Sequence, residues 1–139
     1  MANSFLTGVG KGAQAPALTI ERTGRMLASA VELAVTSETR RRGLLGRDSI
    51  DLSAALIIAP CSAIHTAFMR FVIDVAFVDR GGRVLKVVHD LQPWRIAASP
   101  RAFAVIELHR GSLRRSDVAV GDQLRVVQSS TGLSAEKNT

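Results

Sequence analysis

The chain has no tyrosine, one tryptophan, one cysteine and only three lysines in its 139 residues. A single thiol closes no internal disulfide, so the fold has to be held by burial, as suits a reducing compartment. Long apolar runs are missing too. The longest, Ala54 to Pro60, falls far short of the roughly twenty residues of a membrane-spanning helix. The first fifteen residues mix Gly, Ala, Ser and Gln around one charge, Lys11, and lack the apolar segment of an export signal. These absences argue against a disulfide scaffold and a helical membrane protein. They set the expectation of a soluble, cytoplasmic domain with no membrane partner.

Acidic residues are also few. Twelve Asp and Glu stand against eighteen Lys and Arg, fifteen of them Arg, for a net charge of +6. A basic balance favours polyanionic partners in general. Here the arginines are scattered, with one compact run at Arg40, Arg41 and Arg42. Tyr is absent and the Phe residues sit in apolar contexts, so no aromatic platform for RNA is visible. Nor does a Gly-rich phosphate loop accompany the arginine run. Nucleic acid is not the expected partner; an unidentified small ligand or protein is.

What remains is a chain of 47% hydrophobic residues, long enough for one domain with its own core. Residues 1–15 and 129–139 are small, polar or Gly-rich and read as disordered tails around a single β-rich domain over 16–128. Leu18 to Arg22 alternates, turns at Thr23-Gly24 and returns through Arg25 to Ser29 as a hairpin. Val31 to Val35 alternates as a half-buried strand. Thr36 is suited to cap a short helix from Ser37 to Leu45, with Gly46 as its left-handed stop. Within that helix Gly43 is a weak point, or a place of close approach to a strand.

Ala55 to Ala59 reads as a strand buried on both faces. Ile73 to Asp79 and Arg83 to His89 flank Arg80-Gly81-Gly82, which predicts a three-residue hairpin loop with Gly82 at positive φ. That register sets Phe77 opposite Leu85 and Val75 opposite Val87, and keeps Asp74 away from His89. Leu91 to Pro100 reads as an irregular connection, Ala102 to Leu108 as a strand, Ser112 as the cap of a helix over Leu113 to Asp117, and Gln123 to Gln128 as the last strand. Seven or eight strands joined by turns predict a mainly β (α+β) fold: a compact, largely antiparallel β-sandwich or partly open barrel with two short helices.

In order and spacing, these segments resemble the family known as domain of unknown function 192. The residues that carry the resemblance are Arg41 to Arg47, Ala55 to Pro60, His65 to Phe71, Ile73 to Asp79, Gly82 to Val84 and Val120 to Asp122. The resemblance implies a small, mainly β domain with two short helices, and it supplies no catalytic residue. Met69-Arg70-Phe71 stands where many relatives have Met followed by Lys-Asn-Thr. Val72 stands where proline often precedes the Ile-Asp pair. The first departure places the chain in a Cys-Ser-x-x-His-Thr variant, and Val72 is a departure from that variant's own pattern.

Chemistry-bearing side chains gather between Cys61 and Asp74. Cys61, His65 and Met69 fall four residues apart, a spacing that puts them on one side of either a helix or an extended chain. Asp74 opens an apolar strand, where a charge needs a partner such as Arg70, Arg47 or a backbone N–H. No complete catalytic set is present. The candidate ligand contacts are therefore Cys61, His65, Thr66, Met69 and Asp74, in a non-enzymatic binding or interaction module. Cofactors are not specified. Two alternatives stay open. One is a small enzyme in which His65 activates the Cys61 thiolate and Asp74 orients the imidazole. The other is a copper protein, since thiolate, imidazole and thioether make a soft ligand set. Trp94, between Pro93 and Arg95, is expected to cover one end of the core.

Overall fold

The computed structural model describes residues 5–6 and 15–128. Of the segments read as tails, only Phe5, Leu6 and Ala15 are among them. The Phe5 N–H donates to Arg80 O at 2.6 Å, and its ring is buried in the core.

Alternating sequence builds a three-stranded antiparallel sheet from β1 (Ala17–Ile20), β2 (Met26–Ala28) and β10 (Leu124–Val127). The expected first hairpin is there, its chain reversed by Gly24 at φ +72. A five-stranded sheet contains β3 (Ala30–Ala34), β4 (Ala54–Ile58), β6 (Ile73–Val78), β7 (Val84–Leu91) and β9 (Ala104–His109) in the order β3-β4-β9-β6-β7. All its pairs are antiparallel except β3 with β4. That one parallel pair is bridged by α1 (Ser37–Arg42), a crossover absent from the sequence expectation. The fold is otherwise the expected β-rich one with two short helices, and no helix among the described residues is long and apolar enough to cross a membrane.

Period-two alternation gives the central sheet two working faces. On one, Ala55, Ile57, Ala76, Val78, Ala104, Ile106 and Leu108 pack against Leu18, Ile20, Leu27 and Leu124 of the smaller sheet. On the other, Leu56, Ile58, Ile73, Val75, Phe77 and Val105 pack beneath Leu44, Ile50, Met69, Leu91 and Ala97. This second face is roofed by α1, its following turn, and a small sheet of β5 (Ala63–His65) and β8 (Ile96–Ala98). The β8 strand lies in the Leu91 to Pro100 segment, which reads as irregular from sequence.

Thr36 caps α1 as expected, and its reciprocal partner is Thr39. The helix stops earlier than expected. Gly43, at φ +49, ends it, while Gly46 lies beyond in the turn. Leu44 is buried from that turn and not from a helix face.

The hairpin after β6 has the expected loop. Gly82 sits at φ +93, its N–H donates to Asp79 O at 3.0 Å, and the Asp79 N–H donates to Arg83 O at 3.0 Å. The register beyond it differs from expectation. Val78 faces Val84, as the loop requires, but Phe77 faces Lys86 and Val75 faces Val88. A bulge at Leu85 inserts one residue, and a second shift near Asp90 brings Ile73 opposite Leu91. His89 consequently comes within 4.0 Å of Asp74.

Candidate functional site

The five expected contact residues divide into two groups. Cys61, His65 and Met69 line a cleft of about 220 Å³ between α1 with its Gly43–Leu45 turn, the β5 strand, and the ends of β4 and β9. Thr66 and Asp74 are fully buried and face away from it.

Asp74 is an architectural carboxylate. Its Oδ1 accepts the Asp90 N–H at 3.0 Å, and its Oδ2 accepts those of Gly111 at 3.0 Å and Leu113 at 3.2 Å. It thereby caps α2 (Ser112–Arg115), a role expected of Ser112. The residue at the cap position is Gly111, which has no side chain to offer. A strand-opening charge is stable here because two orphan N–H groups of a helix N-terminus and one bulge N–H converge on it.

Thr66 is a latch between two loops. Its N–H donates to Arg95 O at 2.8 Å and its carbonyl accepts from Trp94 N at 3.0 Å. Its hydroxyl donates to Gln92 O at 2.6 Å and accepts from Arg95 N at 2.9 Å. Both Thr66 and Asp74 are buried and bonded internally. Asp122, at the end of the resembling segment, is likewise internal: it accepts from Arg22 Nε at 2.6 Å and Ala119 N at 2.8 Å.

Glu107, a residue outside the five expected contacts, supplies the buried polar group of the cleft. It lies in β9 opposite Leu56, and β4 in turn pairs Leu56 with Glu32. Arg47 forms a two-pronged bond with Glu32, at 2.9 and 2.7 Å, and so is already engaged. The Glu107 side chain is buried, and its Oε1 has no hydrogen-bond partner among the described residues. Burial pushes its pKa up to about 7, against a smaller opposing pull from the Arg47 charge. Gly43 lies directly over it: a Cβ there would stand 3.9 Å from Oε1 and from Ile58 Cδ1. Sequence did contain a signal. A lone carboxylate inside an unbroken apolar strand, between Ile106 and Leu108, is an expensive placement.

The other cleft groups differ in readiness. The Cys61 thiol donates to Ala63 O at 3.1 Å, and burial, helped by Glu107, pushes its pKa up. That is the opposite of what activates a thiolate nucleophile. His65 is exposed, and its side chain makes no hydrogen bond to a described residue. Arg40 is spent on Pro60 O at 3.1 Å and Thr36 O at 3.3 Å, and Arg42 lies 3.6 Å from Glu38. Arg41 is exposed and has no side-chain partner among the described residues. The apolar walls are Leu44, Leu45, Ile58, Ile64 and Met69. Among the described residues, no three of His, Cys, Asp and Glu gather as a metal site would need.

A family model described as "Uncharacterized ACR" matches residues 18–126, most of the described domain. The chain belongs to the DUF192 family. Two solved structures share the DUF192 chain's fold. A protein of unknown function from Novosphingobium aromaticivorans DSM 12444 matches with a TM-score of 0.70 at 21% identity, over 81% of this chain and 94% of that one. A putative transcription regulator from Sinorhizobium meliloti 1021 matches with a TM-score of 0.70 at 22% identity, over 84% and 98%. At these identities the likeness is one of fold. No curated protein matches the chain.

Outside the cleft, two aromatic residues stand where sequence did not put them. Trp94 does not cover the core; it is 60% exposed, and Phe68 is 72% exposed.

Proposed function

We propose that this DUF192 domain is a non-enzymatic binding module for a small organic anion, held in the cleft by Glu107, His65 and Arg41, with Cys61 and Met69 as walls. The observation that carries the reading is the unpartnered Oε1 of Glu107 at the cleft floor. A buried carboxyl without a partner costs about 1–3 kcal/mol, and a ligand group that bonds to it recovers that loss. Near pH 7 the Glu107 carboxyl is partly protonated, so it offers an O–H donor to a ligand oxygen. The free guanidinium of Arg41 and the exposed imidazole of His65 supply the charge that an anionic head requires. The apolar walls suit a short hydrocarbon body. We also place the chain in a Cys-Ser-x-x-His-Thr variant of the family, whose Cys61 and His65 line the cleft while Thr66 ties the turn after β5 to the loop before β8.

The raised pKa of the Cys61 thiol weighs against the Cys/His enzyme. A soft-metal site would need to draw the same sulfur away from the Ala63 carbonyl. The test is a thermal-shift screen with short-chain carboxylates, phosphate monoesters and metal ions. A carboxylate or phosphate monoester should raise the melting temperature of the parent. Because the His65 side chain is unbonded, His65→Ala should change stability by less than about 0.5 kcal/mol while abolishing that shift. If no anion shifts the parent, or if His65→Ala destabilises by about 1–3 kcal/mol as a satisfied core histidine would, the binding reading fails.

A further inference from the structure

Phe68 and Trp94 make a second feature, on the outer side of the β5–β8 sheet. Their ring centroids are 4.6 Å apart at an interplanar angle of 59°. Ile96, which pairs with His65 across that sheet, is 79% exposed and continues the apolar strip. Both aromatics are held on left-handed backbone, Phe68 at φ +66 and Trp94 at φ +65. A bulky side chain is a genuine outlier there. The Met69 N–H donates to Thr66 O at 3.1 Å, so Phe68 takes the third position of a tight turn, where positive φ favours Gly or Asn. Buried Thr66 ties this turn to the Trp94 loop and fixes both rings relative to each other. Two strained residues thus present two large rings to water, with no return in core packing. Strain of this kind concentrates where a surface has a task.

The two segments that carry the rings, Cys61 to Val72 and Leu91 to Ile106, contain no acidic residue, and together they contain Arg70, Arg95 and Arg101. Arg70 is engaged by Asp48 at 2.8 Å. Arg95 lies beside the pair, its Nη1 donating to Trp94 O at 3.2 Å, and the Lys86 ammonium donates to Ala98 O at the end of β8.

We propose that the Phe68–Trp94 pair is a stacking platform for single-stranded nucleic acid, with Arg95 beside the rings as the cation for its phosphates. Exposed aromatic faces beside cations are the means by which proteins hold single strands without reading sequence. A pair of rings fixed by a buried latch suits planar bases. A bilayer has no use for a fixed ring geometry, and the strip lacks the amphipathic helix that lies in a lipid interface. Neither ring lines the Glu107 cleft, although the strip adjoins it where Ile96 pairs with His65.

Trp94 is the only tryptophan, so its emission reports on this surface alone. The full chain is titrated with oligothymidylate and, separately, with vesicles containing anionic lipid. Emission should be quenched by the oligonucleotide, and the affinity should fall as salt rises. Phe68→Ala should weaken binding about ten-fold or more, and Arg95→Gln should flatten the salt dependence. Glu107→Gln should bind the oligonucleotide like the parent, which separates failure here from failure of the cleft. Phe68→Gly, which relieves the left-handed strain, should melt no lower than the parent and yet bind as poorly as Phe68→Ala. The proposal is overturned by unquenched emission with oligothymidylate, by a blue shift with vesicles alone, by unchanged affinity in Phe68→Ala, or by a clear loss of melting temperature in Phe68→Gly.

Discussion

Glu107→Gln gives the most direct measurement of what the cleft floor does to the fold. The carboxyl pKa is raised from an ordinary 4.5 to about 7 in the folded chain. A raised carboxyl pKa means that the folded state holds a proton the unfolded state has already released. Below about pH 4.5 both states are protonated, and Glu107 imposes no pH-linked penalty. Between about 4.5 and 7 the unfolded chain binds fewer protons, so stability falls as pH rises. Above about 7 both states are ionised and the loss is complete. At 1.36 kcal/mol per pH unit, that shift amounts to about 3 kcal/mol. Glutamine keeps the shape and removes the titration. In urea unfolding followed by circular dichroism, Glu107→Gln should gain on the parent by about 2–3 kcal/mol between pH 5 and pH 8. Other titrating groups are common to both proteins and cancel in the difference. A gap that stays constant over that range would show that Glu107 keeps an ordinary pKa, and would remove the polar feature on which the binding reading rests. The same linkage makes a cleft-bound anion weaker at pH 8 than at pH 6, because ionised Glu107 repels it.

Other substitutions probe the surrounding frame. Gly82→Ala should destabilise by about 2 kcal/mol or more in urea unfolding, since a Cβ at φ +93 would meet Leu124 O at 2.6 Å and Phe5 Cδ1 at 2.7 Å; a neutral result would mean that the Leu124 backbone and the Phe5 ring both give way without cost. Asp74→Ala strands three N–H groups at once and should cost about 3 kcal/mol or more; a loss below about 1 kcal/mol would show that the α2 N-terminus finds another cap. Cys61 should react with iodoacetamide more slowly at pH 7.5 than a free thiol does, in keeping with its raised pKa; fast alkylation would revive the Cys/His enzyme.

Local chemistry was legible in the sequence, and distant partners were not. Thr36 announces a helix start, and Asp79 to Arg83 specify their loop, because both depend on residues within four positions. The register of β7 did not follow, since its shifts at Leu85 and Asp90 answer to contacts made elsewhere, including the bond from Asp90 to Asp74. Gly43 and Gly46 both have positive φ, so composition alone could not tell which one ends α1. In the candidate site the regular spacing of Cys61, His65 and Met69 did identify three cleft residues. Thr66 and Asp74 share the same stretch but turn inward to partners 16 to 39 positions away. Phe68 lies between Ala67 and Met69, an apolar context in sequence. Only the turn geometry shows that it points outward.

The strand order has a consequence for how the chain comes together during synthesis. Strands β3 and β4 leave the ribosome early and pair with each other, as do β6 and β7 later. Each pair is then a two-stranded ribbon with an open edge, too small to be stable alone. The piece that joins them is β9, which enters between β4 and β6 and bonds to both. Until residues 104–109 have emerged there is no central sheet and no floor to the cleft. Glu107 arrives on that same joining strand, so the carboxyl is enclosed by the step that completes the fold.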